Sequence, residues 1–470
     1  MFCILRILGF LSFSLNGQLR VLFAYVCHVQ ESIQIVPSQL GNQLSFTLAL
    51  PYGRASDTLP DAVIMVGPLT QYNMIAVARA LKMITREVRA LPAERVAIED
   101  SVGRVLAEDI VADTDMPPFD RSQMDGYAVR AADTKDAPSV LKLIGESAAG
   151  RGWKGRLKAG EAVRIMTGAP LPAGADSVQK IELTQEADGN VNITEPTAKG
   201  RFIVPKGKEV KKGKVVLRRG ERLTASNIAV PAAFGYAKVK VSKRPRVAIL
   251  ATGTEIVPIG KRPKPDQIRN SNSLMLDSLC QAAGAETVIL PTVGDELSEL
   301  TATISAAAKT ADLVITTGGV SVGKYDLTKE AIGGLGAELF FEKVKLKPGK
   351  PTVFARLKRS FFFGLPGNPV SAAMTFHLFV RRALMLMQSA SAVELPTGFA
   401  IMEGVAKGTR ERDSYLPASL ATDANGRLLA VPLRWHGSSD FIGFASAEAL
   451  VRIPAGTSLT SGEVCEVLFL

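Results

Sequence analysis

A chain of 470 residues, 47% hydrophobic and 21% charged, has room for about three domains and the composition of an ordinary globular protein. The balance of 56 Lys and Arg against 45 Asp and Glu gives a formal charge of +11, which favours an anionic partner. Four scattered cysteines with no C-x-x-C spacing support neither a disulfide framework nor a zinc site, and three histidines (His28, His377, His436) weaken any Ser-His-Asp or multi-histidine metal chemistry. Carboxylates, lysines and backbone amides are left to carry the chemistry.

In chain order, residues 1–28 are apolar but interrupted by Arg6, Asn16 and Arg20, so no unbroken span of membrane length exists there. Residues 7–15 have the size of a signal-peptide apolar region, yet no small-residue cleavage site follows. Residues 30–60 show neither a helical nor a strand period. A start placed too far upstream fits this leader (1–73) best, with Met65 and Met74 as candidate starts; a targeting segment is the alternative. From Met74 the apolar spacing of MIAVARALKMITREVRAL predicts a helix.

Pro117-Pro118 excludes a helix ahead of Asp125-Gly126, which is read as a turn before a strand at 127–129. Short strands and turns continue to about residue 214 and include GEAVRIMTGAPLPAGAD at 160–176. The basic cluster at 199–222 lacks the interleaved aromatics of a single-strand nucleic-acid platform and reads as a solvated surface. A helix is expected at 225–234 and a basic strand at 237–241.

From Arg244 strands and helices alternate. Strands are expected at 247–251, 287–293, 313–317, 339–346, 352–355 and 361–365, with helices at 273–283, 295–309, 326–333 and from Pro369 to about 387. That pattern is an α/β sheet with helices on its faces. The last eighty residues or so are all-β by pattern, with short runs at 418–420, 428–432, 450–453 and 464–470.

Two glycine-rich strand exits stand out, TTGGVSVGKYD at 316–326 and GLPGNPVSA at 364–372, joined by TGTE at 252–255. Loops of this kind expose backbone N–H groups where a helix dipole favours anions, and in an α/β sheet they converge on one crevice beyond the strand ends. Glu255, Asp295 and Asp326 would flank that floor, and carboxylates beside a phosphate call for a cation, Mg²⁺ being the natural one. Capping is the first reading for Asp295 and stands level with metal binding for Asp326. Lys345, Lys347 and Lys350 alternate at a strand end, suited to an oxyanion or simply to an exposed edge. Asn368-Pro369 is a helix start in its own right.

The segments FDRSQMDGYAV, RIMTGAPLPAGAD, ATGTEI, IRNSNS, TTGGVSVGKYD, KPGKP and GLPGNPVSA, in this order across residues 74–470, resemble the molybdopterin molybdenumtransferase family, which includes the bacterial MoeA proteins and the E domain of gephyrin. The resemblance implies an elongated fold of the α/β plus β class. Its parts are a linker subdomain (74–118 and 213–243), a β-rich inserted subdomain (119–212), a molybdopterin-binding three-layer α/β subdomain (244–390) and a C-terminal β-barrel-like subdomain (394–470). It implies a homodimer with a site shared between chains, Mg²⁺ as cofactor, a cytoplasmic setting, and neither nucleic acid nor membrane as partner. The implied reaction takes adenylylated molybdopterin, delivered by a molybdopterin adenylyltransferase, and molybdate, and yields molybdenum cofactor and AMP. A tungstate-preferring insertase or a non-catalytic pterin-binding scaffold is the alternative.

Carried over by motif, Asp125 and Thr167 approach the site from the β-rich subdomain, and Glu255 and Asp326 handle substrate and metal. Lys347 and Lys350 contact anionic groups. Gly318, Gly319 and Ser321 cradle the pterin phosphate region, and Pro366 and Pro369 shape the opposite wall. The sequence departs from the family's usual pattern at Arg121, Gln123, Thr254 and Asn270, at Val204 where an arginine is common, and at Glu209 where an aspartate is common.

Overall fold

The computed structural model describes residues 74–319 and 327–470, together with the backbone of four strands in the leader. The chain divides into two units, residues 1–71 and 72–470. In the first, Gly9–Phe13 pairs with Leu19–Phe23 and Gln34–Leu40 with Gln43–Ala49, both antiparallel. The second hairpin falls where the sequence shows no strand period.

The second unit is built on a six-stranded mixed sheet. Its order is Glu286–Ile289, Arg246–Ala251, Leu313–Thr317, Ser360–Leu365, Pro351–Leu357, Glu338–Lys343. The first four strands run parallel; Pro351–Leu357 runs against both its neighbours because a tight turn joins it to Ser360–Leu365. The central strands LVITT and SFFFGL are buried along their whole length, as strands covered on both faces must be.

Alternate residues feed two cores. Val247, Ile249, Leu313, Ile315, Phe361 and Phe363 pack with helices Val77–Glu87, Ser271–Ala282 and the run from Pro369 to Met387. Ala248, Leu250, Val314 and Phe362 face the helices Leu297–Thr310 and Leu327–Gly334. This is the three-layer arrangement expected. Leu300, Ile304 and Ala307 recur at helical spacing and are buried, which fixes the inward stripe of their helix. The long apolar helix from Pro369 is mostly buried in this core and carries a π-turn at Phe376–Val380.

Four further clusters of buried side chains lie outside this sheet, two of them in the β-rich region. In the β-rich region a six-stranded sheet runs Ser177–Lys180, Gly126–Val129, Glu161–Ile165, Ser139–Ser147, Asn190–Ile193, Thr184–Ala187. A smaller core of Leu106, Ile110, Leu217, Leu223, Val239 and Val241 gathers segments from both sides of that insertion. At the C-terminus, Asp413–Thr422, Leu428–Pro432, Thr397–Met402, Val464–Phe469 and Ala449–Ile453 pair in a ring that closes on Asp413–Thr422, giving a five-stranded barrel with no free edge. The strand Thr397–Met402 was not expected from its sequence, where a single Gly398 and the exposed Phe399 obscure the alternation.

His377 lies on the π-turn and lines a cavity beside the barrel, with Arg382, Glu394, Asp413, Arg452 and Glu466 as its charged walls. Its Nδ1 is buried, with no hydrogen-bond partner among the described residues. Burial, reinforced by the positive charge of Arg381, pushes the imidazole down to about 4. The folded protein therefore holds His377 neutral at a pH where the unfolded chain has begun to bind a proton. Stability is expected to be unaffected by this group above its ordinary value near 6.5 and to fall as pH drops towards 4. The total loss is about 3 kcal/mol, flat below that range. Denaturation midpoints across this window should decline in the native protein and decline less in His377→Gln.

Candidate active site

The sheet topology brings four loops to one end. Arg246–Ala251, Leu313–Thr317 and Ser360–Leu365 all finish there, delivering Thr252–Glu255, Gly318-Gly319 and Pro366–Asn368. The antiparallel strand Pro351–Leu357 begins at that end, its Val353 opposite Gly364, so Lys347 and Lys350 arrive at the same rim. Lys347 is exposed on the short strand Leu346–Lys347, which pairs with the barrel strand Asp413–Thr422.

Gly318 and Gly319 are required by geometry. Both have positive φ, 94° and 65°; a Cβ on Gly318 would lie 2.5 Å from the Thr252 carbonyl oxygen, and one on Gly319 would lie 2.9 Å from Thr252 Oγ1 and 2.7 Å from Thr328 Oγ1. The floor is also tied together by a side chain to which the sequence reading assigned no role. Asn272 Nδ2 donates to Thr317 Oγ1 at 2.9 Å and to the Gly367 carbonyl at 2.7 Å, while Thr317 Oγ1 donates to the Pro366 carbonyl at 3.2 Å. Asn272 Oδ1, Thr252 Oγ1 and Thr328 Oγ1 are buried with no hydrogen-bond partner among the described residues. A buried polar atom left unpaired costs about 1–3 kcal/mol, and Thr252 Oγ1 and Thr328 Oγ1 both lie against Gly319.

Two capping expectations are corrected. Asp295 does not cap the following helix: that helix is Leu297–Thr310, its N-cap is Glu296 without a side-chain bond, and Asp295 Oδ2 instead accepts from Thr254 Oγ1 at 3.1 Å. Asn368 occupies the N-cap with Pro369 at the first turn, but its amide makes no cap bond and donates to Ser438 Oγ at 2.8 Å. Ser438 also accepts from Val370 N through its carbonyl, so a loop ahead of the helical turn Phe441–Phe444 is fastened to the start of the helix at Pro369. N–H bonds from Gly443 and His436, with the His436 ring, hold Asp440 in that loop below the usual carboxylate range. Asn270, by contrast, does cap its helix, accepting from Ser273 N at 3.1 Å, which explains how asparagine serves at this position.

Glu255 is exposed at the rim, its carboxylate folded back over Gly253. Among the described residues no ion pair reaches it and no set of three His, Cys, Asp or Glu gathers to form a metal cage. Ser321 and Asp326, the remaining residues expected at this rim, lie outside the described residues.

Asp125 and Thr167 form a second cluster within the β-rich region. Asp125 Oδ1 accepts from Thr167 N at 2.7 Å, and both side chains are exposed. Gly126 sits so close to the Gln179 carbonyl that no side chain fits there, which fixes the turn carrying Asp125. No hydrogen bond among the described residues joins this cluster to the loops around Gly318.

Models of the MoeA N-terminal region (domain I and II), a probable molybdopterin binding domain and the MoeA C-terminal region (domain IV) match residues 75–235, 248–385 and 404–470. The molybdopterin molybdenumtransferase of Bacillus subtilis is 37% identical over 413 residues, 86% of this chain and 95% of its own length. The chain belongs to the molybdopterin molybdenumtransferase family. Two crystal structures of the molybdopterin biosynthesis MoeA protein from Pyrococcus horikoshii superpose with TM-scores of 0.73 and 0.69 at 30% and 35% identity. They cover 85% and 84% of this chain, and 100% and 99% of their own lengths. As in the family models, the Asp125–Thr167 cluster falls in the N-terminal region and the Gly318 floor in the probable molybdopterin binding domain.

Proposed function

We propose that this protein inserts molybdenum into adenylylated molybdopterin, with water hydrolysing the phosphoanhydride to the adenylate so that AMP leaves and the finished cofactor is released. The observation that carries this reading is the convergence of the Gly318-Gly319, Thr252–Glu255 and Pro366–Asn368 loops on a floor of buried hydroxyls that have no partner among the described residues. The family membership supplies the substrate class.

In this reading the pterin phosphate lies on the backbone of Gly318 and Gly319, with Ser321 beside it, because the absence of side chains lets main-chain N–H groups approach an anion. Pro366 and Pro369 form the opposite wall. Lys347 and Lys350 offset the substrate's charge as flexible point charges. Glu255 and Asp326 are the carboxylates assigned to Mg²⁺, and an exposed Glu255, with no ion pair among the described residues, fits an ion that takes one or two carboxylates and completes its shell with water and phosphate. Bound there, Mg²⁺ would supply neutralisation of the anhydride oxygens.

Asp125 and Thr167 act on the same substrate from the β-rich region. No hydrogen bond among the described residues joins them to the Gly318 floor, and the arrangement the family resemblance implies is a homodimer in which one chain's Asp125 cluster faces its partner's floor. An adenylyltransferase supplies the substrate, and the cytoplasm is the proposed setting.

The test follows AMP release by the full chain from adenylylated molybdopterin and Mg²⁺, with and without molybdate. Release that depends on molybdate is the expected result. Tight pterin binding with no release would replace the insertase by a non-catalytic scaffold, and release that prefers tungstate would change the cargo.

A further inference from the structure

Arg121 stands at the edge of the Asp125–Thr167 cluster, in a three-stranded patch. The pair Arg121–Ser122 lies against Ile203–Val204 on one side, with Arg121 directly opposite Val204. On its other side Arg121 bridges Pro170, Ser122 N donates to the Ala169 carbonyl, and Gly168 N donates to the Ser122 carbonyl. The strand carrying Arg121 is thus stitched to the loop that begins with Thr167.

Residues opposite one another across an antiparallel pair project from the same face. Arg121 therefore presents its guanidinium from the face on which a side chain at 204 would stand, and Val204 offers it no partner. One corner of the guanidinium is held: Nη2 donates to Glu209 Oε1 at 3.0 Å. Nε is buried, with no acceptor among the described residues. Glu209 grips one nitrogen and holds the planar fork in place, while the side chain stays 38% exposed and leaves its outer N–H groups open to a second anion.

Lys206, Lys211 and Lys212 flank Glu209 on the same loop, with Lys206 Nζ 3.9 Å from Asp115.

Resting on the insertase reading, we propose that Arg121, held by Glu209, is an oxyanion-binding residue of this site. It supplies from strand Arg121–Ser122 the guanidinium for which Val204 has no equivalent. Its ligand is a tetrahedral oxyanion, either molybdate or a phosphate of the adenylylated pterin.

Steady-state AMP release by full-length Arg121→Ala separates the two sources. A KM for molybdate raised about 10- to 100-fold, with the KM for adenylylated molybdopterin unchanged, assigns the residue to molybdate; the converse assigns it to the substrate phosphate. The double variant Arg121→Asn with Val204→Arg, which returns a guanidinium from the opposite strand, is expected to recover most of the lost affinity. Unchanged KM values for both ligands in Arg121→Ala would overturn the assignment and leave the Glu209 pair purely structural. Should the native protein release no AMP, the insertase reading falls. Equilibrium dialysis with molybdate alone and with adenylylated molybdopterin alone then decides Arg121 by the same comparison: weaker binding of either in Arg121→Ala supports it, and equal binding of both refutes it.

Discussion

Asp125→Asn is expected to lower molybdate-dependent AMP release by about 100-fold or more while leaving the melting temperature of the protein nearly unchanged. The reason lies in how the carboxylate divides its two oxygens. Oδ1 accepts the Thr167 N–H at 2.7 Å, and an asparagine oxygen can take over that bond. The other oxygen faces outward on an exposed side chain and is the one available to accept a proton or orient a reacting oxygen; an amide cannot do this. Asp125→Ala removes both functions and should add a loss of about 1 kcal/mol in stability, because the Thr167 N–H loses its partner. Thr167→Ala keeps that N–H and removes only the hydroxyl, so a smaller fall is expected. Full activity in Asp125→Asn would confine Asp125 to shaping the turn. Rate measurements on the three variants beside their melting curves decide between these outcomes.

Much of this architecture is legible in the sequence because the strands that matter are extreme in composition. LVITT and SFFFGL can be stable only when covered on both faces, and the helix stripe Leu300, Ile304, Ala307 points to one of the covers. The antiparallel insertion at Pro351–Leu357 is less visible: its pattern reads equally well as another parallel strand, and only the two-residue connection to Ser360 reveals its direction. Gly318 and Gly319 are legible for a physical reason, since no other residue tolerates their approach to Thr252 and their positive φ.

The side chains that tie the site together are harder to read. Asn272 looks like an ordinary first-turn polar residue, and its bond to Gly367 spans 95 positions that periodicity cannot connect. Asp295 and Asn368 show the opposite error: local cap chemistry predicts their roles, but tertiary partners at Thr254 and Ser438 claim the side chains. Arg121 and Glu209 are visible as departures from the family's usual residues, whereas their pairing across 88 positions emerges only from the strand register.

Phe354→Ala is expected to cost about 3–5 kcal/mol of stability, the largest single loss anticipated in this chain. Phe354 has no solvent exposure and sits at the centre of an aromatic group. Its ring lies 4.7 Å from Phe363, 5.0 Å from Phe340, 5.6 Å from Phe341 and 5.8 Å from Phe361. These rings come from three adjacent strands, so removing the central one opens a cavity that neighbouring strands cannot close without breaking their ladders. Phe399, 74% exposed on the barrel, provides the contrast, and its replacement by alanine should change stability by no more than about 0.5 kcal/mol. Strand Pro351–Leu357 also carries the lysine loop at its start, so the same substitution should weaken substrate binding only as the fold loosens. Denaturation midpoints for both variants, with AMP release measured well below the transition, test this. A small shift in Phe354→Ala would mean that the helices, rather than the aromatic group, hold the antiparallel strand in the sheet.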